Sequence, residues 1–140
     1  MEKPAIETML PALTLIFKKY PEIVTVLLFG SYLTPFFTER SDLDFGVVFN
    51  GPVDLFVELS IETDLSLLLK TDKIDLVNLN QAPLILKYNA VAKGKIIYEA
   101  DYIKTSDFLE AVYRDYCDFE PDYRQMCADF DESLKEDYHG

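Results

Sequence analysis

Apolar positions along the chain change period several times. From residue 4 to 19, Ile6, Met9, Leu10, Leu13, Ile16 and Phe17 recur at helical spacing, with Pro4 in a permissive first turn. An amphipathic helix is predicted there, kinked by Pro11. Ile23 to Phe29 is a continuous apolar, β-branched run between Pro21 and Gly30, the pattern of a strand buried on both faces. A short helix or turn follows from Ser31 to Pro35. Asp44 to Phe49 is a second strand, ended by the Asn50-Gly51-Pro52 turn. Val53 to Lys70 returns to helical spacing, with a break expected near Thr63. Lys73 to Leu79 is a third strand, Pro83 to Lys93 a helix closed by Gly94, and Lys95 to Glu99 a short strand-like piece. Ser106 to Phe119 and Asp122 to Leu134 read as a helix pair separated by Glu120-Pro121.

Strands alternating with helices predict an α/β (α+β) chain. The first two strands are joined by a connection too short for a comfortable crossover helix, so a mixed sheet is expected instead of a regular doubly wound one. At 140 residues the chain reads as one domain: a core over about 1–100 and an acidic helical tail over about 101–140.

Charge narrows the partners. The net charge is −12, and residues 101–140 carry twelve of the 25 acidic residues against four basic ones, hence eight of the net negative charges. Such a surface repels a phosphate backbone, which argues against direct nucleic-acid binding and favours a basic protein partner, or else simple solubility. No apolar run approaches the roughly 20 residues of a membrane span and no signal peptide is seen, so a cytoplasmic protein without a membrane partner is expected. Cys117 and Cys127 are expected as free thiols, since ten residues of helix separate them by roughly 15 Å. The single histidine, His139, is near the C-terminus, which excludes a His-based triad. Tyr113, Tyr116 and Tyr123, on the acidic helix pair, suit a protein interface.

Three carboxylates carry the candidate chemistry. Asp42 and Asp44 flank Leu43 at the mouth of the second strand, so both project to one side, roughly 6.6 Å apart. Two divalent ions about 3.5–4 Å apart fit that span, although surface pairs of this kind are also frequent. In Lys73-Ile74-Asp75-Leu76 the alternation turns Asp75 outward, where it either joins Asp42 and Asp44 at one metal cluster or pairs with Lys73. Gly30-Ser31 is either an ordinary capped turn or a place where backbone and hydroxyl receive a phosphate. Together these residues suggest a nucleoside triphosphate held between the Gly-Ser turn and a carboxylate-bound magnesium pair, for phosphoryl or nucleotidyl transfer.

Gly30-Ser31, ten residues, then Asp42-Leu43-Asp44 resembles the signature of the DNA polymerase beta-like nucleotidyltransferase superfamily. The stretch from Lys73 to Glu99, with its third aspartate, proline-led helix and Gly-x-x-x-Tyr ending, is similar to the minimal nucleotidyltransferases (MNT), as is the tyrosine-rich segment from Tyr113 to Met126. The resemblance implies a mixed-sheet nucleotidyltransferase core with flanking helices and a C-terminal helix pair. It implies an antitoxin that neutralises a cognate HEPN-domain ribonuclease toxin, as an adenylyltransferase moving AMP from ATP to a toxin tyrosine with two Mg2+ ions. The partner would be that toxin, bound in a hetero-oligomer. Asp42, Asp44 and Asp75 would be metal ligands, with Asp75 as third ligand or base, and Gly30 and Ser31 would hold the nucleotide.

One departure concerns the triphosphate grip. The arginine usual three residues after the motif serine is Thr34 here and the following glycine is Pro35, so Arg40 is the expected substitute cation. Two other readings share these residues. One is a catalytically weakened antitoxin that masks a basic partner by direct binding. The other, ranked last, is a small-molecule nucleotidyltransferase of the aminoglycoside-modifying kind, which would need a further substrate domain.

Overall fold

The structure, a computed structural model, describes residues 6–35 and 41–119. Its centre is β1, Ile23–Phe29, in which every residue is buried. The strand order explains why: β3-β2-β1-β4 places β1 between two neighbours, so that both faces and both edges are covered. Strand β2, Leu43–Phe49, runs antiparallel to β1, and β4, Lys95–Glu99, runs antiparallel on its other side. Strand β3, Ile74–Asn78, is parallel to β2. The sheet is therefore mixed, as the short first connection required.

Helices cover the two faces separately. Helix α1, Ile6–Lys18, and helix α2, Leu55–Leu69, bury Ile6, Leu13, Phe17, Ile61 and Leu65 against Leu43, Phe45, Val47 and Phe49 of β2. Helix α3, Leu84–Lys93, and helix α4, Tyr102–Phe119, cover the opposite face, where Ala90 and Leu79 meet Val24, Leu27, Phe29 and Val48. Alternate residues of the central strands thus feed two apolar layers, and burying a side chain of this size contributes about 1.5–3 kcal/mol.

Helix α1 continues through Pro11, whose missing N–H forgoes the bond to the Glu7 carbonyl. Two local expectations are corrected. Helix α2 is unbroken at Thr63, because the Thr63 hydroxyl donates back to the Leu59 carbonyl at 2.8 Å and so satisfies itself inside the helix. Helix α4 starts four residues before Ser106, because Asp101 caps it: Lys104 N–H donates to Asp101 Oδ1 at 3.0 Å, and the Thr105 hydroxyl donates to the Asp101 carbonyl at 2.7 Å. The predicted second C-terminal helix lies outside the described residues.

Cys117 is disulfide-bonded and no described cysteine is free, which overturns the expectation of a free thiol there. Cys127, the other cysteine of the sequence, lies outside the described residues. Tyr116 stacks on Tyr88 of α3 at 3.7 Å between ring centroids, with Tyr113 edge-on to the same ring at 5.9 Å, so these two tyrosines tie α4 to α3. Tyr123 lies outside the described residues. On the other face, the Tyr20 hydroxyl donates to Asp64 at 2.6 Å and Lys19 pairs with the same carboxylate at 2.9 Å, joining the end of α1 to α2. Burial and then Asp64 push the Tyr20 hydroxyl up to about 12. Among the described residues no helix is long and apolar enough to cross a membrane.

Gly46 is where the α3 side of the sheet closes. A Cβ there would meet Leu79 Cδ1 at 2.8 Å and the Phe29 ring at 3.2 Å, both in the packed layer. Gly46→Val is expected to lower unfolding free energy by about 1–3 kcal/mol through overpacking. Urea denaturation of the two proteins measures the difference, and an unchanged midpoint would refute this account of the layer.

Candidate functional site

Parallel pairing of β2 and β3 sets the site. Leu43 N–H donates to the Lys73 carbonyl at 2.9 Å, and from there the register places Leu43 beside Ile74 and Asp44 beside Asp75. Leu43 and Ile74 are buried in the α1/α2 layer, so the next residues on both strands, Asp44 and Asp75, project from the opposite face. Neighbouring strands lie about 4.8 Å apart, and the two carboxylates share a side-chain hydrogen bond. Asp44 is half-buried; Asp75 and Asp42 are exposed. Asp42 precedes β2 and its charge acts on Asp44. The three aspartates singled out in the sequence thus occupy one end of the sheet.

Gly30 is the fourth member. Strand pairing puts Phe29 opposite Asp44, and Gly30 follows with φ +84°, starting the short 3-10 helix Gly30–Leu33. A Cβ on Gly30 would collide with the Asp44 carboxylate. Glycine is therefore required here twice, by the left-handed backbone and by the close approach of Asp44. Sequence reasoning anticipated a close approach at Gly30, though of a ligand; in the structure the neighbour is Asp44. Tyr32 holds this turn from beneath, its hydroxyl accepting the Ile6 N–H at 3.2 Å. Ser31 lies within the same 3-10 helix, and Arg40 is outside the described residues.

Electrostatics at this end are unfavourable for the charged forms. Burial, then the charges of Asp75 and Asp42 and the hydrogen bond that protonated Asp44 donates to Asp75, raise Asp44 from the ordinary 3.8 to about 6. Among the described residues no three His, Cys, Asp or Glu side chains stand close enough together to hold a metal ion. The donor chemistry nevertheless suits a hard divalent cation: all the candidate ligands are carboxylate oxygens, and the repulsion across Asp44 and Asp75 is relieved only by a proton or a positive charge.

Beside the carboxylates opens a cleft of about 490 Å³. One wall is the turn, with Phe29, Gly30, Leu33 and Thr34; the other is α3, with Leu86, Asn89 and Lys93. The α3 residues were not singled out by sequence reasoning. Their spacing, three and then four residues along one helix, marks a single face, but only the fold shows that this face looks onto Gly30.

A mixed sheet with acidic side chains gathered at one strand end, next to a glycine turn and a cleft, is the architecture of a nucleotidyl-transferring domain. The family described as "Polymerase beta, Nucleotidyltransferase" matches residues 12–103, more than half of the chain, and the protein belongs to that family. Among curated proteins it is similar to the protein adenylyltransferase MntA of Aphanizomenon flos-aquae (strain 2012/KM1/D3), 31% identical over an alignment of 91 positions that covers 58% of this chain and 60% of that protein. The match thus spans less than two thirds of the relative's length. Among solved structures, a chain of a toxin–antitoxin complex with AMP-PNP superposes with a TM-score of 0.69 at 20% identity, covering 86% of this chain and 97% of that one. A chain of the complex of tri-AMPylated Shewanella oneidensis HEPN toxin with its MNT antitoxin gives 0.66 at 19% identity, over 89% and 97%. At these identities the structural likeness establishes the shared fold.

The raised carboxyl of Asp44 has a signed consequence for stability. Between about pH 4 and pH 6 the folded protein holds a proton that the unfolded chain has released. That contribution is complete below the ordinary value of 3.8 and is lost as pH rises through about 6. In metal-free buffer Asp44→Asn is therefore expected to be more stable than wild type near pH 7.5, by about 1 kcal/mol once solvent screening is discounted. The advantage should vanish near pH 4. Urea titrations at the two pH values check this, and an advantage independent of pH would refute the electrostatic account.

Proposed function

We propose that the protein is a cytoplasmic antitoxin that transfers AMP from ATP to a tyrosine of a partner HEPN toxin, with Mg2+ bound by Asp42, Asp44 and Asp75. The observation that carries this reading is the in-register pairing of Asp44 with Asp75 against Gly30. It gathers oxygen donors where a nucleotide on the turn would present its phosphates. Family membership and the similarity to an MntA protein adenylyltransferase support it.

The chemistry follows from these groups. The tyrosine oxygen attacks the α-phosphorus of ATP, the bond from that phosphorus to the bridging oxygen breaks, and pyrophosphate leaves with the bond electrons. Asp75, exposed at the rim, serves either as third metal ligand or as the base that takes the phenolic proton as the new P–O bond forms. Asp44, held against Gly30, fixes the depth of the site. A bound divalent cation would supply charge neutralisation for the phosphates and the leaving group. Gly30 and Ser31 offer the backbone of the turn to the phosphate chain, and Arg40 is assigned to the nucleotide site on its place directly before Ser41-Asp42. The acidic chain, with net charge −12, is complementary to a partner with a basic surface.

Incubation of the protein with ATP, Mg2+ and the product of the adjacent gene, followed by intact-mass measurement, tests the proposal. The partner is expected to gain one or more AMP units, and the Asp42→Ala, Asp44→Ala double variant is expected to lose the transfer by at least about 100-fold while still binding the partner. A stable wild-type complex without any mass gain would overturn the catalytic reading and leave masking by the acidic surface.

A further inference from the structure

We infer that Lys93, on the α3 wall of the cleft beside the Gly30 turn, is a cationic phosphate contact for the nucleotide held on that turn. The inference rests on the nucleotidyl-transfer reading of the same end of the sheet.

Charge makes a phosphate grip at this place a problem that the chain has to solve. A nucleoside triphosphate carries several negative charges, and the protein carries −12. The nearest charged groups on β2 and β3 are Asp44 and Asp75, and the C-terminal end of α3 adds the negative pole of a helix. Lys93, in the last turn of α3, is the charged residue among those that line the cleft.

Topology puts it in reach of the phosphates instead of at the far end. Gly94 follows Lys93, and a Cβ on Gly94 would lie 3.2 Å from the Leu28 carbonyl. Lys95 then pairs with Leu28, one residue before Phe29 and two before Gly30. The C-terminal end of α3 therefore stands at the end of β1 from which the Gly30 turn departs. Across the sheet the order is Asp75, Asp44, the Gly30 turn, then Lys93. A phosphate chain lying on the turn has carboxylates on one side and an ammonium on the other. Farther back along α3, Leu86 and Asn89 face Leu33 across the same cleft. An apolar slot with one amide suits a nucleobase, since ring faces pack on leucine and an amide both donates and accepts.

Lys93 also answers the departure noted at Thr34. Thr34 and Lys93 line one cleft from opposite walls, so a cation from α3 reaches the volume that a longer basic side chain at position 34 would fill.

Calorimetric titration of the full-length chain with AMP-PNP and, separately, with adenosine tests the inference without any partner protein. Lys93→Ala should weaken AMP-PNP binding about 10- to 100-fold, the range of a lost charge-assisted phosphate contact. It should leave adenosine binding within about twofold. Lys93→Arg should restore most of the affinity, and Lys18→Ala, on α1 at the other face, should change neither. Unaltered AMP-PNP binding in Lys93→Ala would overturn the inference, as would equal losses for both ligands, which mark a collapsed cleft. If wild type transfers AMP to the partner while Lys93→Ala does so at unchanged KM for ATP, the inference falls and the proposed function stands. If wild type binds neither ligand and transfers nothing, both fall.

Discussion

Parallel pairing of β2 with β3, in a register that sets Asp44 beside Asp75, forces two carboxylates into hydrogen-bond contact where water is partly excluded. Nothing local favours this. Like charges directly opposite on a sheet are destabilising, and burial penalises the charged form further. The arrangement persists because Leu43, Phe45 and Ile74, alternating with the acids, are locked into the α1/α2 layer. A slip of one residue would turn those side chains out of the core, at far greater cost than the repulsion. The apolar layer under the sheet thus enforces an electrostatic conflict above it, and a cation is the natural relief.

Gly30 belongs to the same constraint from the other side. Strand β1 is antiparallel to β2 and ends opposite Asp44, so the chain leaving β1 must turn immediately past a carboxylate. A positive φ with no Cβ is the conformation that permits the turn, and the buried Tyr32, bonded to Ile6, keeps the turn from lifting away. The candidate site is therefore built from the ends of three neighbouring strands, each fixed by core residues one position away. Such a site keeps its spacing without relying on loop order.

Much of this was legible in the sequence because the signals were local. The β1 run between Pro21 and Gly30, the strand ending at Asn50-Gly51, and the helix closed by Gly94 all have strong boundaries, and the structure places the corresponding elements within a few residues of them. Strand alternation put Asp42 and Asp44 on one side and turned Asp75 outward. Other features depended on tertiary partners and were not legible. Thr63 looks like a helix breaker until its hydroxyl is seen bonding backwards, and α4 starts early because Asp101, at the end of a strand connection, caps it. Lys93 and Asn89 look like ordinary polar residues of a helix; that their face opens on the Gly30 turn follows only from how α3 is laid across β1. The contact of Gly30 with Asp44 likewise required the antiparallel register, which residue spacing does not encode.

The two ends of the sheet are finished in opposite ways, and the contrast bears on where chemistry can occur. At the far end the Asn80 side chain closes β2: its Oδ1 accepts from Phe49 N–H at 2.7 Å, and its Nδ2 donates to the Phe49 carbonyl at 2.9 Å. One amide there does the work of a further strand residue. Nearby, Asn50 N–H donates to the Glu22 carbonyl at 2.9 Å and Ala100 N–H to the Val24 carbonyl at 2.7 Å. Backbone groups at that end are matched by uncharged partners inside the chain. At the Asp44 end the corresponding positions carry carboxylates that share a proton, beside a cleft with a lysine on its far wall. A fold that closes one end with an asparagine clamp can hold its sheet without help from the other end. That leaves the second end able to keep like charges side by side, which is the condition for binding a ligand of the opposite charge.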